Sequence, residues 1–148
     1  MPTPLPQVAV DGWEELDRST GRTSSRLVLR GPSDVAVDVE LERCESGRLR
    51  EAYPVSEHDV EVRVGELEPP VLAGLLRDLV PAVLSADRSC RRVVFAAPEG
   101  DLAVLSAVEE AGFRCVVDVD LPDGSVSLAV AEPGWVTAVD MDLDHVPT

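Results

Sequence analysis

Residues 91–121 read RRVVFAAPEGDLAVLSAVEEAGFRCVVDVDL, and the changes of hydrophobic period within that stretch decide the fold. Arg91 to Ala97 carries the apolar run Val93 to Ala97, too short for a lone helix and suited to a buried strand. Asp101 to Ala111 shifts to helical spacing, with Leu102, Leu105, Val108 and Glu109 on one face and its edge. Ala111-Gly112-Phe113 supplies the stop, because Gly112 is free to take a positive φ. Arg114 to Leu121 then alternates, placing Cys115, Val117, Val119 and Leu121 on one face. Pro122-Asp123-Gly124 turns the chain into Ser125 to Ala131, whose Val126, Leu128 and Val130 make a matching face.

Upstream of this unit the pattern predicts strands and one long helix. Ser25 to Arg30 is a short strand, joined through the turn residues Gly31-Pro32-Ser33-Asp34 to a second. There Val35, Val37, Val39 and Leu41 share a face, opposite a wet face of Ala36, Asp38, Glu40 and Glu42. Val60, Val62 and Val64 alternate with Asp59, Glu61 and Arg63, predicting a half-buried strand that stops at Gly65. Residues 43–57 between them are polar and unassigned. From Pro69 the apolar residues follow a helical period, with the two prolines suited to the first turn and Pro81 expected to kink or shorten the helix. Residues 11–34 offer at most one short helix, around Trp13 to Arg18.

A chain of 148 residues with 45% apolar content is one domain, long enough to bury a core without a disulfide or metal. Residues 1–10, including the Pro-containing start Met1 to Gln7, and 140–148 read as flexible ends. The three cysteines, Cys44, Cys90 and Cys115, form no CxxC pair and read as buried small hydrophobes in a reducing compartment. All 13 basic residues are arginine against 28 acidic ones, a net charge of −15 that repels nucleic acid and attracts cations. No basic start precedes an apolar leader and no apolar run approaches the length of a bilayer span, so the expectation is a cytoplasmic protein with no membrane partner.

Asp101 to Phe113, with the strands on either side, resembles the C-terminal motif of the Gcn5-related N-acetyltransferases (GNATs), in particular those of siderophore biosynthesis and aminoglycoside modification. The family pattern there is Asn-x-x-Ala-x-x-Leu-Tyr-x-Lys-x-Gly-Phe. Ala111-Gly112-Phe113 and the spacing match, while Asp101, Val104, Ala107, Val108 and Glu110 stand at the Asn, Ala, Leu, Tyr and Lys positions. The resemblance covers residues 58–131 and describes a degenerate or truncated member. It implies an α/β fold, a mixed and mainly antiparallel sheet with two packed helices, and acetyl-CoA or another acyl-CoA as cofactor. By that resemblance Leu72, Ala73, Gly74 and Asp101 are the cofactor-binding candidates.

The family holds the cofactor's diphosphate on the backbone amides of a glycine-rich loop, Arg/Gln-x-x-Gly-x-Gly/Ala, at a helix N-terminus. Here Leu67, Pro70 and Leu72 occupy the three signature positions, prolines lack the amide, and Glu66 and Glu68 add like charge. At about 1–3 kcal/mol per charge-assisted bond, that difference weakens cofactor binding by several kcal/mol. Val108 cannot give up a proton as the family's Tyr does, and the two helices that close over the acceptor are reduced.

Glu61, Glu66 and His58, on or beside the strand that carries the base in the family, are the catalytic base candidates. Asp140, Asp142, Asp144 and His145 alternate without an enclosing metal loop, so no metal site is assigned. The expected activity is acyl-CoA-dependent N-acyl transfer to a small cationic or amine substrate. The alternative is a non-catalytic GNAT-like module that binds a biosynthetic partner protein. Homodimerisation through the Cys115 to Ala131 hairpin is a further expectation from the family.

Overall fold

In the computed structural model, which describes residues 3–32 and 34–133, the alternating segments become one seven-stranded sheet and the two helical segments pack on it. In chain order the elements are β1 (Glu14–Thr20), β2 (Ser24–Arg30), β3 (Ala36–Arg43), β4 (Val60–Val64), α1 (Pro69–Ala86), β5 (Val93–Pro98), α2 (Leu102–Glu110), β6 (Arg114–Leu121) and β7 (Gly124–Ala131). The strand order is β1-β2-β3-β4-β5-β7-β6. Only β4 and β5 run parallel among the described residues, because α1 carries the chain across between them. This is the mixed, mainly antiparallel sheet expected.

One core lies between the sheet and the helices. Val37, Val39 and Leu41 of β3, Val60 and Val62 of β4 and Val93 and Phe95 of β5 meet Leu72, Leu75, Leu76, Leu79 and Val83 of α1. That helix is 18 residues long and apolar enough by composition to cross a membrane, but its leucines are the core of this sheet. A second, smaller cluster covers the opposite face, where Cys44, Leu49 and Tyr53 pack on Val94, Leu128 and Val130.

Several expectations are corrected. The helix around Trp13 to Arg18 is instead β1, an exposed edge strand of charged residues paired to β2 and bulged between Glu15 and Asp17. Asp59 and Glu61 do not face water: they are 0% and 1% exposed, because residues 44–57 fold over that side of the sheet. Pro81 neither shortens nor ends α1, which runs on to Ala86. Pro81 and Arg77 are both exposed, so the carbonyl that loses its helical donor faces water. Val35 precedes β3 and is 41% exposed. Cys115 is exposed although Cys44 and Cys90 are buried. β6 is an edge strand exposed along most of its length, Val116 and Val117 included, and a bulge between Cys115 and Val117 sets Cys115 opposite Ala129 and Val117 opposite Leu128, so the two do not share a face. At the chain start, Leu5, Val8 and Val10 are buried, and the Leu5 amide donates to the Arg22 carbonyl at 2.8 Å. The acidic cluster at 140–145 lies outside the described residues.

Candidate functional site

The one parallel pair among the described residues is also where the sheet opens. β4 and β5 pair from Val60 opposite Val93 to Val62 opposite Phe95 and then part. Beyond that point β4 stays on β3, with Val39 opposite Val64 and the Gly65 amide donating to the Asp38 carbonyl at 3.1 Å. β5 follows β7 instead, out to Pro98 opposite Val126. Held by different neighbours, the two strands leave a cleft of about 770 Å³ between them, within the size range of small-molecule sites.

The cleft has two unlike sides. Val62, Leu72, Phe95 and Val104 line it on the side of the helices, while Arg48 and Arg63 line it from the opposite face. The period of two along β4 produces this division, since Val60 and Val62 enter the helix-side core and Glu61 and Arg63 point the other way.

On that second face a charge network fills the space. Both oxygens of Glu61 are taken, Oε2 by Arg48 at 2.9 Å and Oε1 by Arg63 at 2.8 Å. Arg63 also reaches Glu42 at 3.0 Å and Glu40 at 3.1 Å. Desolvation works against the Arg63 charge, but the carboxylates of Glu40, Glu61 and Glu42 outweigh it and raise its pKa. The cross-strand register that sets Glu40 opposite Arg63 and Glu42 opposite Glu61 was present in the alternation of both strands. Sequence reasoning missed the network because the partner Arg48 comes from the unassigned segment.

The mouth of the cleft is the N-terminus of α1, where an anion would be held. Pro69 and Pro70 occupy its first two positions and have no N–H, and the Leu72 amide donates to the Glu68 carbonyl at 3.0 Å. Of the four amide positions at this terminus, Glu68 to Val71, only Glu68 and Val71 carry an N–H. Glu66 and Glu68 line the same mouth, and neither has an ion-pair partner among the described residues. Both arginines of the cleft are already committed to carboxylates. Asp101 lines the cleft too, and its Oδ1 caps α2 by accepting from the Val104 amide at 3.2 Å. The cleft itself fits an apolar arm, whereas its mouth does not fit a diphosphate.

The structure therefore divides the sequence candidates. Glu66, Leu72 and Asp101 line the cleft. Ala73 is buried in the core and Gly74 is not part of the lining, since each helical step of about 100° turns them away from the cleft. Glu61 sits behind the lining in its ion pairs. His58 stands at the opposite end of β4, with Nδ1 3.1 Å from Asp87 Oδ2. Val108 is fully buried against the core. Between β1 and β2, where the resemblance implies two closing helices, residues 21–23 make a turn, the Gly21 amide donating to the Ser24 carbonyl at 2.8 Å.

Comparison with known proteins places this architecture. No protein-family model matches the chain, and no curated protein matches it. Among solved structures, the aminoglycoside acetyltransferase AAC(6')-Ib in complex with paromomycin and acetyl-CoA superposes with a TM-score of 0.65 at 15% identity, over 76% of this chain and 66% of that one. An uncharacterised protein from Bacillus halodurans gives 0.63 at 18% identity, over 72% and 58% of the two chains. A spermidine N-acetyltransferase SpeG chimera from Vibrio cholerae and hSSAT gives 0.54 at 10% identity, over 74% and 67%. The match thus spans just under two thirds of the aminoglycoside enzyme, and at these identities the likeness is one of fold.

Proposed function

The chain has the Gcn5-related N-acetyltransferase fold, and on that premise we propose that it is an N-acyltransferase that moves an acyl group from a thioester to a small amine. The observation that carries this reading is the cleft at the parting of β4 and β5, apolar toward the helices and charged toward the opposite face. Donor and acceptor would approach from opposite sides of the sheet and meet in the gap. The complexes of AAC(6')-Ib with acetyl-CoA or coenzyme A support a pantetheine thioester as donor, and its aminoglycoside complexes support an amine acceptor. A net charge of −15 favours a cationic acceptor.

A bound thioester supplies the activated acyl carbonyl; the rest falls to this chain. Val62, Leu72 and Phe95 would seat the apolar arm and exclude water from it. An ammonium acceptor must lose a proton before it can attack, and among the base candidates Glu66 is the one that lines the cleft. Glu61 is committed to two arginines, and His58 is at the far end of its strand.

A second reading, a non-catalytic module that binds a partner protein, is favoured by the buried Val108 at the family's Tyr position and by the turn at residues 21–23. Calorimetry and thermal shift with acetyl-CoA and S-acetylpantetheine, followed by mass spectrometry on a panel of polyamines and aminoglycosides, separate the two. Binding of either thioester and a mass gain of one acetyl group on an amine are expected. Absence of both heat and thermal shift with either thioester at about millimolar concentration, a Kd regime too weak for a working donor site, would hand the chain to the second reading.

A further inference from the structure

We infer that the cleft recognises the acyl-pantetheine arm of its donor and not the nucleotide, so that a thioester lacking the 3′-phospho-ADP group binds at least as well as the CoA thioester. The inference rests on the acyltransferase reading and narrows its donor. It begins from what a CoA nucleotide requires, which is several amide or cationic donors for a diphosphate and further positive charge for the 3′-phosphate.

The mouth of this cleft is poor in both. Two of the first amide positions of α1 are proline, a third amide is spent on the Glu68 carbonyl, and the Gly65 amide is spent on the Asp38 carbonyl. The two arginines lining the cleft are held by Glu61, Glu42 and Glu40. The Glu68 carboxylate, which has no ion-pair partner among the described residues, lines the mouth that a diphosphate would have to occupy, and the charge of Glu66 adds to the negative field there. The helix dipole favours an anion, but at a terminus carrying two carboxylates and few donors the balance opposes one.

Inside the gap the balance reverses. An arm with two amides and an apolar stem suits facing strand edges, because past Val62 and Phe95 the backbone of each strand is unpaired on its inner side. Val62, Leu72 and Phe95 supply apolar wall. Nothing in this part of the cleft depends on the nucleotide.

The test is calorimetric titration of the full chain with acetyl-CoA, S-acetylpantetheine and adenosine 3′,5′-bisphosphate. S-acetylpantetheine is expected to bind at least as tightly as acetyl-CoA, and the bisphosphate not at all. Because the nucleotide is repelled, raising ionic strength from about 0.05 M to about 0.3 M should tighten acetyl-CoA and leave S-acetylpantetheine unchanged. Glu68→Gln should tighten acetyl-CoA by about two- to fivefold and leave the pantetheine thioester unaffected. Acetyl-CoA binding more than about threefold tighter than S-acetylpantetheine, which is about 0.65 kcal/mol of net nucleotide recognition, overturns the inference and leaves the acyltransferase reading standing. If neither thioester binds, both fall.

Discussion

The Arg43 guanidinium, almost wholly buried, donates to Asp87 Oδ2 at 2.6 Å and so ties the end of β3 to the residue that caps α1. The same guanidinium donates to the carbonyls of His58 and Pro4, at 2.7 and 2.9 Å, which fastens the chain start and the approach to β4. Desolvation pushes the Asp87 carboxyl up, but hydrogen bonds from Arg43 and His58 outweigh it and hold its pKa below the ordinary 3.8. Stability from this group is therefore complete above the unfolded value and is lost as pH falls through the depressed native one. Asp87→Asn should cost about 3 kcal/mol near neutral pH, since it leaves a buried guanidinium without its counter-ion. In urea melts the gap between wild type and variant should narrow as pH drops below about 4; a gap that is constant from neutral pH to acid contradicts the assignment.

Trp13 and Gly31 form a second tie. A Cβ on Gly31 would collide with the Trp13 ring, whose Nε1 donates to Asp78 of α1 at 2.8 Å. Gly31→Ala should displace the indole and cost about 1–3 kcal/mol. In a Trp13→Ala background the same substitution should cost almost nothing, and a double-mutant cycle reads the difference directly.

The thiols differ in reach. Burial pushes Cys44 up to about 12 and Cys90 up to about 11, while Cys115 is exposed on β6. Burial, with Glu109 and Asp118 nearby, also raises Cys115, so it should react with a disulfide reagent more readily as pH rises. One thiol should titrate in the native protein and three after denaturation. Two fast native thiols would mean that Cys44 or Cys90 opens to solvent.

Glu61 and Glu66 should separate under substitution. Glu61→Gln breaks a buried charge network and should lower stability by about 2–3 kcal/mol, at or below the low end for a buried pair because Arg48 and Arg63 keep other carboxylates. Glu66→Gln touches no ion pair; it should leave the melting temperature unchanged and lower acyl transfer about a hundredfold. Rate profiles against pH, measured beside thermal melts, distinguish a lost base from a loosened fold.

Residues 91–131 were legible because each element buries one face and its punctuation is local: Gly112 takes φ +105° and Asp101 caps α2. The reading of Glu61 failed for the opposite reason. An alternating strand announces one wet face only if nothing covers it, and here residues 44–57, without a period of their own, bring Leu49 and Arg48 over that face. β1 was missed because its side chains are mostly exposed and charged, leaving pairing with β2 as its main support. The motif letters located Leu72 and Asp101 at the cleft, but which strand edge opens, and where, depends on the register of three strands at once.

The turn at residues 21–23 has a kinetic meaning. Enzymes that close a lid over their substrates spend part of each cycle opening it, and that step often limits turnover. With β1 and β2 joined by so short a connection, this chain has no such gate from that part of the fold. On the acyltransferase reading proposed above, acceptors would enter and products leave without waiting on it, and the slow step would pass to the encounter or to the bond change itself. Increasing solvent viscosity would then slow capture of a reactive amine but leave its rate at saturation untouched.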